Sequence, residues 1–236
     1  MVVVAGPPGS GKSTLLRPDE QSLAYFNADE RARELNQGSG HKISPEIRAI
    51  VNQELETFIV SHIHDRLSFA YETTLRTTIT YEQARLAKAH GFQTSMEYVA
   101  LASVEESINR VRKRAERGGH SAPPERVREI YEASLKNLPR ALAEFDYVAV
   151  FDNTDIENRR QPALILETLN GRMLTLTSQV PEWVANALRG TVYELTEQLK
   201  AQVRTRSQRS SSMRRNLVFG ITLPASLREL PLLQSE

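Results

Sequence analysis

Gly6-Pro7-Pro8-Gly9-Ser10-Gly11-Lys12-Ser13, followed by Thr14, fills every fixed position of the spacing G-x-x-x-x-G-K-S. In such a loop the glycines let successive backbone amides turn toward phosphate oxygens, and the helix that follows adds the positive end of its dipole. A lysine at the position of Lys12 reaches the β- and γ-phosphates, and a hydroxyl at the position of Ser13 ligates Mg²⁺. A glycine-rich turn can arise without that function, so the flanks decide. Val2-Val3-Val4-Ala5 is short, apolar and β-branched, as a buried parallel strand should be, and Ser13-Thr14-Leu15-Leu16 can open a helix. Strand, loop and helix in that order is the context the motif requires, and the sequence therefore implies nucleoside triphosphate binding.

Further groups able to do chemistry fall at the ends of other apolar runs. Asn27 and Asp29 follow Leu23-Ala24-Tyr25-Phe26, Glu72-Thr73-Thr74 follow Leu67-Ser68-Phe69-Ala70-Tyr71, and Asp152-Asn153 follow Tyr147-Val148-Ala149-Val150-Phe151. Two carboxylates beside a triphosphate can divide the work: one accepts a proton from an attacking hydroxyl, the other orients Mg²⁺. Asp29 is equally suited to cap the helix that follows it, and Glu72 to stand on the surface. Arg110, Arg114 and Arg117 share one helical face just before Gly118-Gly119-His120, which reads as a lid closing over phosphates or as a solvated basic face paired with Glu105, Glu106 and Glu116. His62 and His64, two apart on a helix, do not share a face and make no metal site.

The elements that must position these groups alternate. Ser44 and Pro45 open an amphipathic helix expected over 45–66, a helix over 78–90 closes on Gly91, and Phe92–Leu101 reads as a strand. Ser103 caps a helix to about Arg117, and Pro123-Pro124 opens another to about Ala143. Strands alternating with helices predict an α/β fold, a doubly wound, mostly parallel sheet of at least five strands with a helical lid and a C-terminal extension. Ala163–Leu169 and Met173–Thr177, joined by Asn170-Gly171, predict a hairpin with a type I′ turn. The expected division is a domain over 1–190 and a basic, helical then irregular extension over 191–236.

Composition excludes several classes. The 236 residues include no cysteine, which removes disulfides, thiolate metal sites and a cysteine nucleophile together. A net charge of +1 gives no global field toward nucleic acid or lipid, and no apolar run approaches membrane-spanning length. A cytoplasmic protein is expected. Lys200, Arg204, Arg206, Arg209, Arg214 and Arg215 concentrate positive charge near the C-terminus, in a polar stretch better read as a solvated tail than as a nucleic-acid surface.

The phosphate loop, Asn27-Ala28-Asp29, Tyr71-Glu72-Thr73-Thr74, and Arg110-x-x-x-Arg114 before Gly118-Gly119-His120 together resemble the zeta-toxin family of P-loop kinases. More closely they resemble its chromosomal branch of ABC-type ATPases, as do Tyr131-x-x-Ser134-Leu135-Lys136-Asn137-Leu138 and Val150-Phe151-Asp152-Asn153. The resemblance covers roughly residues 1–190. It implies ATP- and Mg²⁺-dependent phosphorylation of UDP-N-acetylglucosamine at its 3′-hydroxyl, and an antitoxin protein as a possible partner. It also implies roles: Asp29 as general base, Lys12 and Ser13 on ATP and Mg²⁺, Glu72 and Thr73 with Asn27 in the substrate and metal neighbourhood, and Arg114 on the transferred phosphate. A second arginine of the helix after the lid falls at Arg128. A nucleotide-binding regulator without sugar kinase activity, or a nucleic-acid kinase using the basic tail, are the alternative readings.

Overall fold

The computed structural model describes residues 1–15, 23–119, 121–154 and 161–210; His120 and the basic tail beyond residue 210 lie outside them, as do the side chains of Thr14, Leu15 and residues 204–210. Strands β1 (Val2–Ala5), β2 (Ala24–Phe26), β3 (Phe69–Thr73), β4 (Ser95–Ala100), β5 (Tyr147–Asp152), β6 (Ala163–Leu169) and β7 (Arg172–Leu176) form one sheet. Its order is β2-β3-β1-β4-β5-β6-β7. The first five are parallel, and β6 and β7 continue the sheet antiparallel. The hairpin expected after residue 160 is thus an extension of the main sheet, because a strand leaving a tight local turn pairs most cheaply with its sequence neighbour. Asn170 and Gly171 both have positive φ, 49° and 71°, as a type I′ turn demands.

Helices α1 (Lys12–Leu15), α2 (Ala28–Leu35), α3 (Pro45–His64), α4 (Ile79–Ala89), α5 (Val104–Glu116), α6 (Pro124–Glu144), α7 (Glu182–Leu188) and α8 (Glu197–Ser210) complete the chain. Capping follows the sequence closely. Ser44 Oγ accepts from Ile47 N at 3.3 Å and Ser103 Oγ from Glu106 N at 3.2 Å, each satisfying an otherwise orphaned helical donor. β3 begins two residues later than its apolar run suggests, because its partner β1 sets the register, pairing Val2 with Ala70 and Ala5 with Thr73.

Alternation along the strands separates two faces. Val3, Ala5, Phe69, Tyr71, Met96 and Tyr98 share the principal core with Ile59 and Ile63 of α3, Tyr81 of α4, Leu138 and Leu142 of α6 and Trp183 of α7. α8 packs against β7 and adds Val203 to that core. The opposite face carries Val4, Ala70, Val99 and Ala149, and β1, central among the parallel strands, leads into the phosphate loop. Among the described residues no helix is long and apolar enough to cross a membrane.

Candidate active site

The carboxyl end of β1 leads into a loop that only glycine can build. Gly6 has φ +141°, and a Cβ there would stand 2.0 Å from the carbonyl oxygen of Val99; Gly9 has φ +74°, with Ser107 O 2.8 Å from the same point. The loop is gripped from two sides. Ser107 Oγ of α5 donates to Pro8 O, and Asn153 Nδ2, just past β5, donates to Ser10 O at 2.8 Å. Arg110 ties the grips together, its Nη2 meeting Glu106 Oε1 at 2.6 Å, Asn153 O at 2.9 Å and Thr154 O at 3.1 Å. Arg110 is therefore a brace between α5 and the end of β5, not an arm of a swinging lid. Its sequence-mates Arg114 and Arg117 sit one and two turns further along, beside the Gly118-Gly119 bend.

Lys12 donates to Gly6 O at 3.0 Å and Pro7 O at 3.1 Å. Its ammonium is buried although the residue keeps some exposure, and that burial pulls its pKa below the ordinary lysine value. The charges of Glu72 and Asp29 oppose the shift and Arg114 adds to it. Three charged groups named from separate stretches of sequence are thus assembled around one ammonium.

Each is positioned by identifiable chemistry. Asn27 caps α2, its Oδ1 accepting from Asp29 N at 3.0 Å and Glu30 N at 3.1 Å. Asp29 is therefore not the cap but the second residue of the first turn, where the helix dipole favours an anion. Glu72 Oε1 accepts from the hydroxyl of Tyr25 on the neighbouring strand and lies 3.4 Å from Ser13 Oγ. Burial and the Glu72 carboxylate both push the Tyr25 pKa up, so this phenol stays a donor. Tyr25 is a site residue the sequence does not announce. Thr73, next along β3, lies on the opposite sheet face from Glu72, and its Oγ1 accepts from Leu75 N at 3.2 Å.

That turn is strained. Leu75 is fully buried with φ +55°, a conformation costing a β-carbon residue about 1–3 kcal/mol, and Asn137 Nδ2 holds its carbonyl at 2.8 Å. The chain then presents Arg76 within electrostatic reach of Asp29, Arg48 and Arg126. Burial of its guanidinium, then repulsion from Arg126 and Arg48, lower its pKa against the pull of Asp29. Arg128, one residue beyond Val127, is ion-paired with Glu105 at 3.1 Å instead.

A cavity of about 370 Å³ lies between α2 and α5, lined by Arg33, Arg110, Lys113, Arg114, Arg117 and the two glycines. A larger one of about 430 Å³, lined by Leu176, Val180, Leu195, Lys200 and Val203 among others, includes none of the charged residues around Lys12, whereas the smaller cavity is lined by Arg114. Among the described residues no three carboxylates or imidazoles cluster as a metal cage. The hydroxyl of Ser13 and carboxylate of Glu72 are hard oxygen donors that suit Mg²⁺, which keeps water and phosphate in most of its positions.

A family model described as an AAA domain matches residues 1–138. No curated protein matches the sequence. Solved structures share the fold. A protein of the PezAT chromosomal toxin–antitoxin system of Streptococcus pneumoniae is 16% identical with a TM-score of 0.55, covering 92% of this chain and 88% of its own. The AvrRxo1-ORF1:-ORF2 complex gives 14% identity and a TM-score of 0.61 over 97% of this chain and 79% of the other. A Chloroflexus aurantiacus protein described as a kinase gives 17% identity and a TM-score of 0.51 over 66% and 89%.

Proposed function

The chain belongs to the AAA domain family, with a P-loop kinase fold, and on that premise we propose that it transfers the γ-phosphoryl group of ATP to a hydroxyl of a sugar nucleotide, UDP-N-acetylglucosamine at its 3′-hydroxyl. The observation that carries the reading is the convergence of Asp29, Glu72 and Arg114 on the ammonium of Lys12. A nucleotide-binding regulator needs the lysine and the loop; it has no use for a carboxylate poised where an acceptor would lie.

The residues then take these roles. The loop from Gly6 to Thr14 cradles the triphosphate, and Lys12 spans its β- and γ-phosphates. Ser13 and Glu72 would hold Mg²⁺, which would supply countercharge for the phosphates, and Tyr25 keeps Glu72 aimed at Ser13. Asp29 takes the proton of the acceptor hydroxyl as its oxygen bonds to phosphorus and the bond to ADP breaks. Arg114 stabilises the charge on the group in transit. Arg48, Arg126 and Asp29 all lie within electrostatic reach of Arg76, and that concentration of cations near the base favours an acceptor that itself carries phosphates. Asn27 and Thr73 shape the acceptor side through the α2 cap and the β3 turn, and Arg128 joins the substrate once released from Glu105. The catalytic domain is taken to span 1–190, with 191–236 an extension that packs back onto its core through Tyr193 and Val203.

The fold shared with the PezAT and AvrRxo1 proteins supports a protein partner of the antitoxin kind, and the absence of cysteine supports a cytoplasmic setting. ADP release measured with and without UDP-N-acetylglucosamine, with mass spectrometry of the products, tests the reaction. Strong stimulation together with a singly phosphorylated sugar nucleotide is expected. ATP binding with no stimulation by any sugar nucleotide overturns it.

A further inference from the structure

We propose that Arg33 is a ligand of the donor polyphosphate, facing α5 across their shared cavity to complete a cationic cradle with Lys113, Arg114 and Arg117. The inference rests on the phosphotransfer reading for its kinetic consequence but not for its binding consequence.

The argument begins with partners. Arg31, two residues earlier on the same helix, is fully engaged: its Nε and Nη2 meet the Glu54 carboxylate at 2.7 and 2.9 Å, and Nη1 meets Glu34 at 3.0 Å. Arg85 and Arg140 share Glu144, and Lys88 holds Asp146. Arg33 instead has one long contact, 3.7 Å to Glu30, with both side chains about half exposed. Such a pair contributes little. Lys113, Arg114 and Arg117 have no ion-pair partner among the described residues. Besides the braced Arg110, four cations with one long ion pair among them thus face one cavity of about 370 Å³. Like charges so placed repel one another, and a polyanion between them converts that repulsion into attraction.

Position strengthens the case. Arg33 lies one helical turn beyond Asp29, so both project from the same side of α2. The face that offers a base to the acceptor thus also offers a guanidinium to the phosphate being transferred. Arg114 approaches from the opposite wall, its side chain packed on Gly119, where a Cβ would stand 2.6 Å from Arg114 Cγ. The two guanidinium groups come from different helices, so one polyphosphate bound between them draws α2 and α5 together.

Inorganic tripolyphosphate, which lacks base and sugar, is the probe. Calorimetric titration of the full chain should show binding that weakens by about ten- to a hundredfold in Arg33→Ala, the worth of a charge-assisted hydrogen bond, with partial recovery in Arg33→Lys. Arg112→Ala, which removes an equal charge at a side chain that does not line the cavity and that bonds Asn109, should bind like the parent. Equal losses in Arg33→Ala and Arg112→Ala would mean a diffuse field and overturn the proposal, as would unchanged binding in Arg33→Ala. Because no acceptor is present, the result stands even if UDP-N-acetylglucosamine proves not to be phosphorylated. Where turnover is observed, kcat should fall in Arg33→Ala with KM for the acceptor unchanged.

Discussion

The side-chain amide of Asn153 donates to the backbone carbonyl of Ser10 at 2.8 Å, joining the exit of β5 to the middle of the phosphate loop. Both residues are buried, so Asn153→Ala leaves the Ser10 carbonyl without a donor at a cost of about 1–3 kcal/mol. The loop then loses one of its two grips. KM for ATP should rise by about tenfold while a chemical melt shows the matching loss of stability; an unaltered KM would mean that Ser107 alone holds the loop.

Asp29→Asn separates catalysis from structure cleanly. The cap of α2 belongs to Asn27, so the substitution leaves the helix intact. Turnover should fall by roughly 10²–10⁴-fold, the range for loss of a general base, with ATP affinity close to that of the parent. Near-normal turnover measured by ADP release would shift the role of base to Glu72.

Tyr25→Phe removes the phenol that aims Glu72 without touching any group expected to contact nucleotide. The Mg²⁺ concentration for half-maximal turnover should rise by about ten- to a hundredfold, as when a supporting hydrogen bond to a metal ligand is lost. A titration with Mg²⁺ at saturating ATP reads this directly, and kcat at high Mg²⁺ should recover most of its value.

Glu97 sits in β4 between Val4 and Ala149, with neither carboxylate oxygen hydrogen-bonded. Burial raises its pKa from the ordinary 4.5 to about 7. The folded protein therefore holds a proton that the unfolded chain has released, and stability falls as pH rises from about 4.5 to about 7. The penalty is complete above that window and amounts to about 3 kcal/mol. Glu97→Gln should flatten the slope, its urea midpoint exceeding that of the parent at pH 8 by more than at pH 4.

Groups fixed by local chain geometry were legible in the sequence: the loop glycines, the Ser44 and Ser103 caps, the Asn170-Gly171 turn, and the carboxylates at the ends of β2 and β3. A strand end of a parallel sheet is a place defined by topology, so residues there can be named before any coordinate is known. Arg76, Tyr25 and Arg33 were not legible, because their importance comes from what other segments bring beside them. Tyr25 matters through Glu72, which is 47 residues away. Arg33 alone carried a usable signal, its spacing of one helical turn from Asp29. Arg110 shows the converse: it shares a helical face with Arg114 and Arg117, yet the carbonyl oxygens of Asn153 and Thr154 pin it to the sheet.

The central place of β1 also governs how the molecule assembles itself. Val2 must find Ala70 on one side and Ser95 on the other, so the strand that frames the phosphate loop has no neighbour until two long stretches of chain have closed upon it. Such distant pairings fold slowly, because chain entropy is lost before the contacts that repay it are made. Until then Val2-Val3-Val4 is an unpaired, β-branched edge open to association with other chains. The β6–β7 hairpin, by contrast, closes within a few residues. Refolding from denaturant is therefore a race in which the hairpin is ready early and the nucleotide loop is framed late, and dilute protein at low temperature is the condition under which the slow strand wins.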